Sequence, residues 1–327
     1  DRYVFLLHAP GTGYGGLEHR WSSSNVCSRD SLPIRGDEGV SPEYRTLLGL
    51  LSHEYFHLWN VKRLKPAAFT PYELADESYT ELMWVFEGIT SYYDDLALVR
   101  CGLISVESYL ELVGQTITRV LRAPGRLKQS VEESSFDAWT KFYKQDANAS
   151  NSIVSYYAKG ALIALALDLT IRAAGNGELS LDDVMRECWS RWGQSGEGMP
   201  ERGLEAVCAE LTGLDLEEFF EASVRGTGDL PLETLLARFG VRYGLRAATS
   251  RDDKGGKPSS AEAGPWLGAA LADQGGKSVF TVVINGGPAE LAGVAPGDVA
   301  VALDGIALTG ANCDRRLKSY QDGDRLE

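Results

Sequence analysis

At 327 residues, with 44% hydrophobic and 24% charged side chains, the chain has the make-up of a globular protein and is long enough for more than one core. Forty-six acidic against 32 basic side chains leave a formal net charge of −14, which repels phosphate backbones and anionic lipid; nucleic acid and membrane surfaces are set aside as partners, and neutral or cationic peptides are tolerated. The longest apolar run, Gly160 to Leu167, falls far short of the roughly 20 residues that cross a bilayer. No basic-then-apolar leader opens the sequence, but residue 1 falls inside a predicted strand, so the natural start is expected upstream. The compartment stays open. Five cysteines without a Cys-x-x-Cys spacing argue against a disulfide framework or a thiolate zinc site and favour a reducing, cytoplasmic setting, whereas a periplasmic or secreted one needs a leader ahead of residue 1.

Alternation of Tyr3, Phe5 and Leu7 with Val4 and Leu6 predicts a strand over 2–8, followed by a Gly-rich turn at 11–16 and a second strand over 17–22. Helices take over from there. Ser41-Pro42 is a helix start, and Leu47, Leu48 and Leu51 carry that helix to about Trp59. A second long helix is predicted over 79–100, stopped by Gly102, with further helices over 105–121, 153–174, 181–192, 201–212 and 215–225. Composition shifts after Gly240: 249–264 reads as a linker rich in Gly, Ser, Asp and Lys, and a β-rich module follows with strands over 266–271, 279–285 and 299–303. The expected fold class is α+β.

The sharpest chemical signal is His53-Glu54-Tyr55-Phe56-His57 inside a predicted helix. Residues four apart share a helical face, so both imidazoles can converge on one ion while the intervening glutamate reaches its open coordination position. A catalytic zinc site wants three protein ligands, and Glu87 on the next long predicted helix is the candidate third, with room before it for a helix end, a loop and a return. Asp94, two turns further along the same face, is placed to accept the outer N–H of a ligand histidine. Glu54 is then the general base toward water.

The run His53 to Pro66, with Phe86-Glu87-Gly88-Ile89-Thr90-Ser91-Tyr92-Tyr93-Asp94-Asp95, resembles the glycyl aminopeptidase family of PDZ-bearing zinc metallopeptidases. Tyr14-Gly15-Gly16-Leu17-Glu18-His19 and Tyr156-Tyr157-Ala158-Lys159-Gly160 also look like segments of it. The resemblance implies a thermolysin-like catalytic core, one zinc ion, a Gly-Gly-x-Glu cleft edge in which Glu18 holds a free amine, and a Tyr-x-Lys-Gly tyrosine near the metal, by position Tyr157. Tyr156 beside it is an equal candidate on chemistry alone. Phenol donors suit the charge that grows on an attacked carbonyl, and Gly15 and Gly16 let an extended peptide approach the cleft edge. The tail resembles a PDZ module through Gly264-Pro265-Trp266-Leu267-Gly268 and Gly287 to Asp298, a fold that captures peptide C-termini.

These readings divide the chain into end strands of a β region and cleft edge over 1–22, a helical zinc peptidase domain over 23–248, a linker over 249–264 and an incomplete PDZ-like module over 265–327. The implied activity is hydrolysis of the N-terminal peptide bond, with small residues such as Gly or Ala preferred. A zinc endopeptidase with the same metal chemistry and a non-enzymatic peptide-binding scaffold are the alternatives.

Overall fold

A computed structural model of the chain describes residues 2–36, 38–250, 253–260, 262, 264–321 and 323–325. Parts of the expected linker (251, 252, 261 and 263) and the end of the expected C-terminal module lie outside the described residues.

The architecture is α+β. Strands β1 (Val4–His8), β2 (Tyr14–Glu18) and β3 (Ser22–Cys27) form a sheet in the order β1-β3-β2, with β1 parallel and β2 antiparallel to β3. Two expectations fail here. The glycines assigned to a turn at 11–16 are partly the strand β2, and the strand expected over 17–22 is divided between the end of β2 (Leu17, Glu18), the 19–21 connection and the start of β3 (Ser22). Gly15 and Gly16 pair with Val26 and Asn25, so ladder hydrogen bonds override weak intrinsic preference. As the outer member, β2 leaves one edge unpaired in its sheet.

Helix α1 (Pro42–Phe56) starts where Ser41 caps the Tyr44 amide at 3.1 Å, with Pro42 in the first turn. The helix expected over 79–100 is shorter and compound: 79–82 is not helical, Trp84–Gly88 forms a π-helical turn, and α2 (Ile89–Arg100) continues from it. Next come α3 (Val106–Arg122), α4 (Val131–Phe136) and α5 (Ala149–Ser152). Helix α6 (Ala158–Ala174) begins five residues later than expected, because 153–157 turns instead of continuing. It is apolar all round and forms the centre of the body, where only a helix enclosed by neighbours can bury such a surface. Its one buried carboxylate, Asp168, is satisfied by the Tyr92 hydroxyl at 2.6 Å, the Leu181 amide at 2.7 Å and Arg172 at 2.9 Å. Helices α7 (Leu181–Cys188), α8 (Gly203–Thr212), α9 (Glu217–Phe220) and α10 (Leu232–Arg238) complete this body.

The C-terminal module has a separate small core around Leu271, Phe280, Val283 and Leu303. Strands β4 (Ala269–Gln274), β5 (Lys277–Val283) and β6 (Val299–Ala300) form one sheet with β4 at its edge, and β7 (Ala302–Leu303) pairs with β8 (Ile306–Ala307); α11 (Pro288–Leu291) and α12 (Gly310–Leu317) pack alongside. The single strand expected over 299–303 is thus two short strands in different ladders. Asn151 ties the module to the helical body, donating to the Val283 carbonyl at 2.8 Å and accepting from the Asn285 amide at 3.0 Å. The stretch before the module lies against α3: Lys257 reaches Glu111 at 3.2 Å, and Gly256 sits so close to Gly114 that a Cβ on Gly114 would be 2.7 Å from its Cα. Among the described residues no helix is long and apolar enough to cross a membrane.

Candidate metal centre and active site

The helix that carries His53 stops at Phe56, three residues short of the expected Trp59, and His57 is its C-cap. The His57 amide still bonds to the His53 carbonyl at 3.2 Å, so the two imidazoles keep their one-turn spacing, with ring centroids 4.6 Å apart and planes at 88°. Both Nε2 atoms face Glu87, each 3.2 Å from the same oxygen, Oε2. Glu87 reaches this point from the π-helical turn ahead of α2, a local widening often found where a side chain must be re-aimed.

Each histidine is held through its other nitrogen. His53 Nδ1 donates to Asp94 Oδ2 at 3.0 Å, and His57 Nδ1 donates to the Asn60 carbonyl at 2.8 Å. Asn60 is itself pinned, since its side-chain amide donates to the Val85 carbonyl at 3.0 Å and to Thr90 Oγ1 at 3.1 Å. Val61, next in the chain and buried, has φ of 129°, a strained value for a β-branched residue. That strain sits between the residue orienting His57 and Lys62. No spacing rule pointed to Asn60, because it acts through a backbone carbonyl.

Burial opposes charge on His53, but its hydrogen bonds to the Asp94 and Glu87 carboxylates push its pKa up to about 10; burial likewise opposes charge on Glu87, yet His57 and His53 pull its pKa down to about 2. Both carboxylates favour a positive centre between the imidazoles. In a tetrahedral site with zinc–ligand distances of about 2.0–2.1 Å, ligand atoms stand about 3.3 Å apart, and the two nitrogen-to-oxygen separations of 3.2 Å match that spacing. His53, His57 and Glu87 therefore fit a zinc ion by donor type, distance and support from neighbouring groups. Glu18, Glu54 and His57 also bring ligand atoms within 4.8 Å of one another, but in that trio Glu18 is already paired with Lys62 at 2.9 Å.

Glu54 is buried, and its Oε2 has no hydrogen-bond partner. Burial raises its pKa, against the opposing pull of His57 and His53. A buried carboxylate with an orphaned oxygen, within 4.8 Å of a His57 ring nitrogen through one of its oxygens, is the arrangement a proton acceptor needs. Gly16 on β2 lies directly against it: a Cβ there would fall 2.1 Å from Glu54 Oε1. The strand edge can come this close only because Gly16 lacks a side chain.

Tyr157 precedes α6 and stacks over His53 at 6.3 Å with planes 26° apart; its hydroxyl meets that of Tyr143 at 3.0 Å. Tyr156 is fully buried, 4.5 Å from the Phe142 ring, so Tyr157 is the one of the pair that faces the histidines. Two glycines set this approach. A Cβ on Gly88 would lie 2.6 Å from Gly160 Cα, so the segment bearing Glu87 and the helix following Tyr157 cross in backbone contact. Tyr143 and Lys62 join Asn60 as site residues that no sequence pattern singled out.

A pair of histidines and a glutamate converging beside an orphaned carboxylate and an open strand edge define a peptidase class of site. Residues 46–163 match the model of the M61 glycyl aminopeptidase family. The crystal structure of an aminopeptidase N family protein from Idiomarina loihiensis is similar over 99% of this chain, with 42% sequence identity and a TM-score of 0.95. This chain spans 55% of the length of that one. The search of curated proteins found no match. The segment 46–163, which carries His53, Glu54, His57, Glu87, Asp94 and Tyr157, belongs to the glycyl aminopeptidase family.

Proposed function

We propose that the chain carries the catalytic centre of a zinc aminopeptidase that removes the first residue of a peptide. The observation that carries the reading is the position of Glu18: its carboxylate lies within 4.8 Å of ligand atoms of Glu54 and His57 and already holds an ammonium, that of Lys62, at 2.9 Å. A substrate α-ammonium bound there competes with Lys62 and halts the peptide one residue beyond the scissile bond. Charge-assisted contacts of this kind contribute about 1.5–3 kcal/mol each.

His53, His57 and Glu87 would hold the ion, and zinc bound there supplies a Lewis acid for the scissile carbonyl and lowers the pKa of water. Glu54 takes the proton from the attacking water and returns it to the departing amine. The hydroxyl of Tyr157, whose ring stacks 6.3 Å from that of His53, donates to the oxygen on which charge builds. Asp94 and the Asn60 carbonyl keep both imidazoles aimed. A preference for Gly or Ala at the first position rests on the family resemblance. The C-terminal module is read as PDZ-like, supported by the edge strand β4, the turn at Gly268 with φ of 72°, and α12 beside β4; a peptide C-terminus is its proposed ligand.

Metal analysis should find one zinc per chain, and kcat/KM for free and N-acetylated peptides, with parent and Glu18→Ala enzyme, tests the amine anchor. Acetylation and Glu18→Ala should each cost about tenfold or more and should not add when combined. Equal cleavage of acetylated peptides by the parent replaces this reading with that of an endopeptidase; no retained zinc and no turnover replace it with a scaffold.

A further inference from the structure

A cavity of about 770 Å³ is walled by α3, by the 142–155 segment, by Lys254 from the stretch before the C-terminal module, and by Ala270, Val282 and Ile284 of the module itself. That volume suits a small-molecule or short-peptide site. Two of its lining residues adjoin the catalytic groups: Asp95 follows Asp94, which holds His53, and the Phe142 ring stacks on Tyr157 at 5.6 Å.

The direction of the bound peptide follows from β2. With the amine at Glu18 and the reacting carbonyl at Glu54, which touches Gly16, later residues run back along the edge toward Tyr14, advancing about 3.4 Å each. Arg119 lines the cavity. So do Arg122, whose guanidinium bonds to the Asp253 carbonyl, and Lys254, so three cations stand against the single carboxylate Asp95 among the described lining residues. In a chain of formal net charge −14, this wall runs against the overall balance of charge.

We propose that this cavity receives the part of the peptide downstream of the cleaved bond, and that Arg119 and Lys254 select peptides carrying a carboxylate there, either an acidic side chain or a free C-terminus. The inference rests on the aminopeptidase reading for the direction of the peptide. Exposed charge pairs of this kind give up to about 5-fold each, so two together give about 2- to 30-fold, declining as salt rises.

The test uses four peptides of identical N-terminus: Gly-Ala-Ala-Ala as its amide and as its free acid, and the amides of Gly-Ala-Glu-Ala and Gly-Ala-Lys-Ala. For the parent protein, kcat/KM should rank the Glu peptide and the free acid above the neutral amide and the Lys peptide below it. A gain confined to the free acid assigns the terminal carboxylate as the ligand, and a gain confined to the Glu amide assigns the side chain. Arg119→Glu combined with Lys254→Glu should invert the order, raising the Lys peptide to the top, a change that mere structural damage does not produce. A flat ranking in the parent, or a ranking unchanged in the double variant, overturns the proposal. Repeating the series with N-acetylated peptides separates the two ideas: acetylated peptides cleaved as well as free ones defeat the aminopeptidase reading, while the charge ranking is scored independently.

Discussion

Replacing Gly88 by Ala perturbs the site without touching a reacting group. The new methyl would stand 2.6 Å from Gly160 Cα, 2.7 Å from its carbonyl carbon and 2.9 Å from the Tyr156 carbonyl oxygen, all backbone atoms that cannot swing aside. Carbon atoms in contact settle at about 3.5–4.0 Å, so the π-helical turn and α6 must separate by roughly 1 Å. Overpacking of this kind costs about 1–3 kcal/mol, offset by the helix propensity of Ala over Gly, about 1 kcal/mol, so the net loss of stability should be about 0–2 kcal/mol. Activity should suffer more. Glu87 rides on one side of the crossing and Tyr157 on the other, and a displacement of about 1 Å at such groups costs about a hundredfold in rate. Gly160→Ala is the milder change, since its methyl meets Gly88 Cα at 3.0 Å and the Trp84 carbonyl at 3.2 Å. Urea melts paired with kcat/KM measure both effects. A Gly88→Ala enzyme with parental activity, or one less impaired than Gly160→Ala, refutes the claim that this contact sets the distance between the Glu87 carboxylate and Tyr157.

Glu54→Gln should keep the metal and lose turnover by a hundredfold or more, because the amide preserves shape and removes the base; stoichiometric zinc with normal kcat would sink its assignment. Glu87→Ala should lose zinc affinity by several orders of magnitude, and Asp94→Ala by about 10–100-fold through loss of histidine orientation, as read by competition with a chelator; parental affinity in Glu87→Ala means a different third ligand. Tyr157→Phe should lower kcat far more than it raises KM, since its hydroxyl acts once charge has developed, whereas an unchanged kcat moves the role to another donor. Asn60→Ala removes the bonds to Val85 and Thr90 and should lower zinc affinity although Asn60 touches no metal; unchanged affinity would show that its backbone carbonyl stays in place without them.

The His-Glu-x-x-His spacing on a helix, the helix start at Ser41-Pro42 and the α+β composition could all be read from the sequence, because each depends on neighbours within a turn or two. Glu87 is one of many helix-face carboxylates by spacing alone and stands out through the family resemblance, with Asp94 two turns on; the start of their helix differs from expectation because the π-helical turn, packed against α6, leaves no local pattern. The edge strand was misread because its glycines have poor intrinsic strand preference, and only pairing with β3 makes them strand. Asn60, Lys62 and Tyr143 stayed hidden, since their partners lie across the fold: a carbonyl aimed at His57, a salt bridge to Glu18, a hydroxyl on Tyr157. The same holds for the cation-lined cavity, whose walls come from α3, the 142–155 segment and the C-terminal module. Local periodicity fixes which side chains share a helix face; which faces meet, and at what distance, is decided by close packing such as that of Gly88 on Gly160, a contact between residues far apart in the chain.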